Sequence, residues 1–155
     1  MDNTDLRIAA ALAKDGRMPN SEIARRLGVS EGTVRQRLKK LVDAGILKIQ
    51  AMVNSEEVPK LYPVLIGMKL EGREIERFAE QINQFPEVQR TMIVTGRYDI
   101  LISLLLDSHH DLVDFITTKL WKVPGVRDSE TYICLKNYDP WFTVDCLSRQ
   151  GEASD

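Results

Sequence analysis

The sequence predicts an α+β protein in two parts, three short helices followed by strands and helices in the order βαββαβ. Three observations carry that expectation. Apolar residues recur at helical spacing through the first fifty positions, short apolar runs alternate with helical periods further on, and net charge changes sign between the parts. Residues 1–60 hold 11 Lys+Arg against 8 Asp+Glu, whereas residues 61–155 hold 10 against 15. A chain of 155 residues, 43% hydrophobic, has room for one domain or two small ones. The expected division is a first domain at 1–50, a connector at 51–62, a second domain at 63–138 and an extension at 139–155 whose last seven residues have the composition of a disordered end.

In the first part, Thr4 or Asn3 is placed to cap a helix carrying Leu6, Ile8, Ala9 and Leu12, which Asp15-Gly16-Arg17 ends. Asn20 or Ser21 is placed to cap a second helix with Ile23, Ala24 and Leu27, and Gly28 suits the sharp turn that closes it. Ser30 caps a third helix in which Val34, Leu38, Leu41 and Val42 form one apolar stripe, and Gly45 stops it. Residues Ile46 to Val53 are expected to form a short strand, the wing of this domain.

Three helices with a tight glycine turn between the second and third describe a helix-turn-helix. Residues 25–48 hold seven basic residues against two acidic ones, so the positive charge is concentrated on that motif. With the stripe turned inward, Glu31, Thr33, Arg35, Gln36, Arg37, Lys39 and Lys40 are left for other faces of the third helix. A helix of that width fits the major groove of double-stranded DNA, where arginine pairs bidentately with guanine and glutamine with adenine. Lysine, and serine at the helix start (Ser30), suit phosphates, and Arg25 and Arg26 on the preceding helix are within reach of the backbone.

The second part gives a strand at Val64–Leu70, a helix with Ile75, Phe78, Ala79, Ile82 and Phe85, and a turn at Pro86-Glu87. A strand at Val88–Thr95 turns at Gly96-Arg97-Tyr98 into a strand at Ile100–Leu106. A helix with Leu112, Phe115, Ile116 and Leu120 and a strand from Val126 to about Tyr138 complete a ferredoxin-like order. "VLIGMKL" and "ILISLLL" are apolar at both parities, so the face not covered by helices calls for a partner, and a second copy of the sheet is the simplest.

Other function classes find little support. No run of 18 apolar residues is present to span a membrane, and the start MDNTDLR lacks the charge and apolar core of a signal peptide, which predicts a cytoplasmic protein. Cys134 and Cys146 lack metal-ligand spacing and are expected to be reduced, partly buried thiols, and no metal, cofactor or catalytic set is expected.

The stretches "DLRIAAALAKDGR", "SEIARRLGVSEGTVRQRLKKLVDAGIL", "VTGRYDILI" and "VPGVRDSETYICLK", in this order, resemble the Lrp/AsnC (leucine-responsive/asparagine-responsive, or feast/famine) regulator family from Thr4 to Tyr138. The resemblance implies a winged helix-turn-helix that binds DNA and a ferredoxin-like domain that dimerises, often assembling further to octamers, and that senses an amino acid or related small molecule. It places the effector at the glycine turn, on Gly96, Arg97, Tyr98 and Asp99, with Thr131 contributing. Backbone amides and arginine suit a carboxylate, and Asp99 suits an α-ammonium group. The "NSEEVPKLYPV" connector and the tail "DPWFTVDCLSRQGEASD" depart from the family pattern, and Trp141 and Phe142 are placed to pack on a sheet edge or a partner. Two alternatives share the architecture. One is a siroheme-decarboxylase-like enzyme, for which His109 and His110 would be the residues of interest, and the other is a sensor without DNA binding.

Overall fold

A computed structural model describes residues 1–58, 61–72 and 74–143 and divides into two compact units, Met1–Gln50 and Ala51–Asp155. Cys146 and the end of the extension expected to be disordered lie outside the described residues.

The first unit holds α1 (Asn3–Lys14), α2 (Asn20–Leu27) and α3 (Glu31–Asp43). Ile8, Ile23 and Val34, one from each helix, are fully buried and pack with Leu12, Met18 and Ala24. Burial of side chains this size contributes about 1.5–3 kcal/mol each, so this small core depends on every one of them. Gly28 adopts φ 71° after α2, and its N–H donates to the Ala24 carbonyl, the left-handed cap expected of a tight turn. Ser30 caps α3 by accepting from the Thr33 N–H at 3.1 Å, and Gly45 at φ 66° follows its end.

The other two caps differ from expectation. Asp2, rather than Asn3 or Thr4, caps α1, because Asp2 and Asp5 accept each other's backbone N–H at 3.0 and 2.9 Å in a reciprocal box. Pro19 stands at the start of α2 with no side-chain cap, its fixed φ already suited to entry. The strand expected at 46–53 as the wing of the first domain is not formed there: residues 46–51 are not in a strand, and β1 (Met52–Asn54) belongs to the second unit, where it pairs antiparallel with β6 (Trp141–Thr143). Trp141 and Phe142 thus build a strand of their own.

The main sheet of the second unit contains β2 (Tyr62–Leu70), β3 (Val88–Ile93), β4 (Ile100–Leu106) and β5 (Val126–Ile133) in the order β3-β4-β2-β5, all antiparallel. With α4 (Ile75–Ile82) and α5 (His109–Asp114) this is the expected βαββαβ order. One face is the core, where Val64, Ile66, Met68 and Leu70 of β2 and Ile100, Ile102, Leu104 and Leu106 of β4 lie under Phe78, Ile82, Leu112, Phe115 and Leu120. β5 stops at Ile133, short of the expected Tyr138.

The second helix is not one regular α-helix. After α5 it widens into a π-helical turn at Phe115–Lys119 and tightens to a 3-10 turn at Leu120–Lys122. The Thr117 and Thr118 hydroxyls donate back to the Val113 and Asp114 carbonyls at 2.8 Å, a side-chain competition with the backbone ladder that loosens a helix. Cys134, expected partly buried, is exposed just beyond β5. Among the described residues, no helix is long and apolar enough to cross a membrane.

Candidate DNA-reading helix and effector turn

On α3, Val34 and Leu41 are buried and Leu38 is half-buried, which leaves Glu31, Arg35, Gln36, Lys39 and Lys40 exposed. Nearly every cation of the motif is held by an acid. Arg35 pairs with Glu31 at 2.7 Å and Lys39 with Asp43 at 2.8 Å, one helical turn away in each case. On α2, Glu22 takes Arg25 through both carboxylate oxygens, at 2.9 and 2.7 Å, and Arg26 at 2.7 Å. These two guanidiniums hold the Glu22 carboxyl down from an ordinary 4.5 to about 2.

Arg37 differs from the other cations. It is half-buried and donates to Asp2 at 2.5 Å and Asp5 at 2.9 Å, so it ties α3 to the start of α1. Hydrogen bonding from backbone N–H groups and then from Arg37 keeps both carboxyls below their ordinary 3.8. The Ser30 and Thr33 hydroxyls lie 2.8 Å apart and are engaged with each other at the cap. Among the described residues, Lys40 and Gln36 have no ion pair or side-chain hydrogen bond, and both face solvent.

In the second unit, the turn between β3 and β4 folds back onto the open face of the sheet. The residues of β2 and β4 on that face are Leu65, Gly67, Lys69, Leu101, Ser103 and Leu105, so it is mixed and less apolar than the parity of the sequence suggests. Gly67 has a specific use: a Cβ there would lie 2.7 Å from the Tyr98 ring, so the glycine makes room for the tyrosine. The Tyr98 hydroxyl donates to the Glu130 carboxylate and lies 2.7 Å from the Tyr132 hydroxyl. Arg97 pairs with Glu130 at 3.0 Å and stacks over the Tyr98 ring at 5.5 Å. Although the Tyr132 ring is exposed, desolvation of its hydroxyl, then the Glu130 carboxylate, pushes that hydroxyl up from its ordinary 10.0.

Arg97 and Tyr98 therefore form one cluster with Glu130 and Tyr132, next in sequence to Gly96 at φ 125°, while Asp99 has another occupation. Its carboxylate accepts from the Leu70 N–H at 2.9 Å and from Lys69 at 2.8 Å, and its own N–H donates to the Met68 carbonyl. Those contacts, the Leu70 N–H first, hold its carboxyl below 3.8. Asp99 fastens the turn to the end of β2. Thr131 pairs with Ile66 across the helix-covered face, so it stands on the opposite side of the sheet from Tyr98. Glu130 and Tyr132, which the sequence alone does not single out, supply the β5 contribution instead. Gly67 in mid-strand is the signal that points to them, because a lone glycine there marks a close approach.

His109 and His110 begin α5 beside the Ser108 cap and are both exposed. Among the described residues no three His, Cys, Asp or Glu side chains converge as a metal cage would require.

Comparison with known proteins gives these two units their context. Residues 1–48 match the family model of a winged helix-turn-helix DNA-binding domain, and residues 63–141 match that of the Lrp/AsnC ligand binding domain. The chain is 37% identical to an uncharacterized HTH-type transcriptional regulator of Pyrococcus furiosus, PF1231, over 86% of this chain and 90% of that one. Among solved structures, AsnC of E. coli superposes with a TM-score of 0.74 at 26% identity, covering 89% of this chain and 94% of that one. The transcriptional regulator NMB0573 of Neisseria meningitidis, solved as a complex with L-Met, also reaches a TM-score of 0.74, at 28% identity over 89% and 92% of the two chains. With its three-helix unit and its antiparallel α+β unit matched in the same order, the chain belongs to the Lrp/AsnC family of transcriptional regulators.

Proposed function

We propose that this protein regulates transcription in the cytoplasm as a sequence-specific DNA-binding homodimer or larger assembly whose affinity is set by an amino acid or related small molecule. The observation that carries the reading is α3: an apolar stripe seats it on α1 and α2 and leaves Arg35, Gln36, Lys39 and Lys40 exposed on one short helix. Arg35 and Gln36 meet base edges in the major groove. Lys39, Lys40, Arg25, Arg26 and the cap residues Ser30 and Thr33 meet phosphates, with Glu31 steering Arg35. Arg37 acts from behind by holding the helix in place.

The effector site is the turn Gly96–Arg97–Tyr98. Arg97 and the backbone amides there suit a carboxylate, and because Asp99 is committed to Lys69 and the Leu70 N–H, Glu130 is the acid placed for an α-ammonium group, its pairing with Arg97 being exchanged when Arg97 takes the ligand carboxylate. The L-Met complex of NMB0573 supports an amino acid as the ligand class. An effector bound in this unit changes DNA affinity only if it favours one domain arrangement or assembly over another. Leu65, Met92 and Tyr132 are exposed on the open face of the main sheet, and they support a second copy of the chain as its cover.

The test is selection of bound fragments from genomic DNA, with and without a pool of amino acids. An enriched two-fold motif whose recovery changes with one component of the pool is the expected result. Recovery without any sequence preference would remove the regulatory reading.

A further inference from the structure

Glu22 stands in the first turn of α2 and binds two guanidiniums that the DNA-binding reading directs toward phosphates. It grips Arg25 with both oxygens and Arg26 with one, and its own side chain is only 29% exposed while Arg25 is 73% exposed. The acids on α3 are different, since Glu31 and Asp43 are more exposed and each holds a single cation by a single contact. One carboxylate on α2 thus halves the charge that two arginines present to solvent.

That arrangement has a predictable consequence for DNA. Attraction to the phosphate backbone is independent of sequence and grows with each cation that displaces a counterion, so unpaired arginines raise affinity for every duplex alike. Specificity is the difference between affinity for the right site and for all others, and it improves when the indiscriminate share is kept small. Sequence-reading contacts on α3 are untouched by Glu22.

We infer that Glu22 is a specificity-determining residue, a resident competitor for phosphate that suppresses non-specific DNA binding through Arg25 and Arg26. The inference rests on the reading of this unit as the DNA-binding one. Its position in the first helical turn also favours a carboxylate through the helix dipole, which is a structural role and predicts something different.

The experiment measures binding of the 155-residue chain to a random-sequence duplex by fluorescence anisotropy across a NaCl series. Glu22→Gln is expected to tighten binding about threefold to tenfold at low salt and to steepen the slope of log K against log salt by about one. Glu80→Gln, the same change in net charge on an exposed position of α4, is expected to match wild type. In an Arg25→Gln/Arg26→Gln background, adding Glu22→Gln is expected to change nothing. Wild-type affinity and slope in Glu22→Gln would overturn the inference, as would an equal gain from Glu80→Gln or a gain that persists without the two arginines. Weaker binding together with lost helical circular dichroism in Glu22→Gln would make the residue a structural one and overturn it too. A wild-type protein that binds no duplex at any salt would instead overturn the DNA reading itself.

Discussion

Gly67 has no side chain, and the Tyr98 ring lies where one would be. A Cβ at residue 67 would fall 2.7–2.8 Å from three ring carbons, and because residue 67 is fixed in the middle of a strand paired on both sides, it is the Tyr98 ring that must move. Gly67→Ala is therefore expected to push Tyr98 off the sheet and to cost about 1–3 kcal/mol, the usual range for overpacking. A measurement at the tyrosines separates this from general loosening. Although the Tyr132 ring is exposed, desolvation of its hydroxyl and then the Glu130 carboxylate hold it above its ordinary 10.0, so with Tyr98 displaced from beside that hydroxyl it should titrate nearer 10.0, visible in the ultraviolet as pH rises. An unchanged Tyr132 titration in a stable Gly67→Ala protein would mean that Tyr98 does not cover it.

At the scale of elements, α3 depends on two kinds of contact, those that seat it and those that face outward, and they predict different losses. Arg37 seats it through Asp2 and Asp5, whose carboxyls lie below their ordinary 3.8 in the folded protein. A depressed folded value means that the stabilisation is fully present above pH 3.8 and is lost as pH falls through the lower, folded values. Arg37→Gln should lower thermal stability at neutral pH and flatten its decline below pH 3.8, as followed by circular dichroism. Arg35→Ala should leave stability unchanged and weaken the specific site about tenfold to hundredfold while relaxing base preference. Lys40→Ala should weaken all sequences and shallow the salt slope by about one. Equal effects of the two outward variants on specific and random DNA would place base reading elsewhere. Much of this helix is legible in the sequence, since the apolar period, Gly28 and Ser30 are local signals. The Asp2–Asp5–Arg37 clasp is not, because it joins residues 35 and 32 positions apart across the packing of two helices. For the same reason the family resemblance implies Thr131 at the turn where the structure has Glu130 and Tyr132: strand register decides which of the three faces Tyr98, and register is set by pairing with β2. The π-helical turn after α5 is a third case, a wide turn inside what the apolar spacing presents as one continuous helix.

For the whole molecule, the parity of β4 decides how an assembly could be broken. Apolar residues at both parities leave it open whether Ile102 and Leu104 face outward, and both are fully buried beneath the helices. A charge at Ile102 would sit in the core and unfold the second unit, which says nothing about assembly. The informative position is Leu65, on the open face, 36% exposed and paired in register with Tyr132. Leu65→Asp adds a charge that water solvates in a monomer but that a second sheet would have to desolvate. The variant should therefore keep its melting behaviour at low concentration while light scattering shows dissociation into single chains. DNA binding should follow. Two half-sites roughly 34 Å apart need two linked readers, and losing the link forfeits the avidity of about 10²–10⁴ that joining two sites provides. A wild-type protein that is already a single chain in solution would defeat this argument at its first step, and a Leu65→Asp assembly of unchanged size would move the contact off the open face of the sheet.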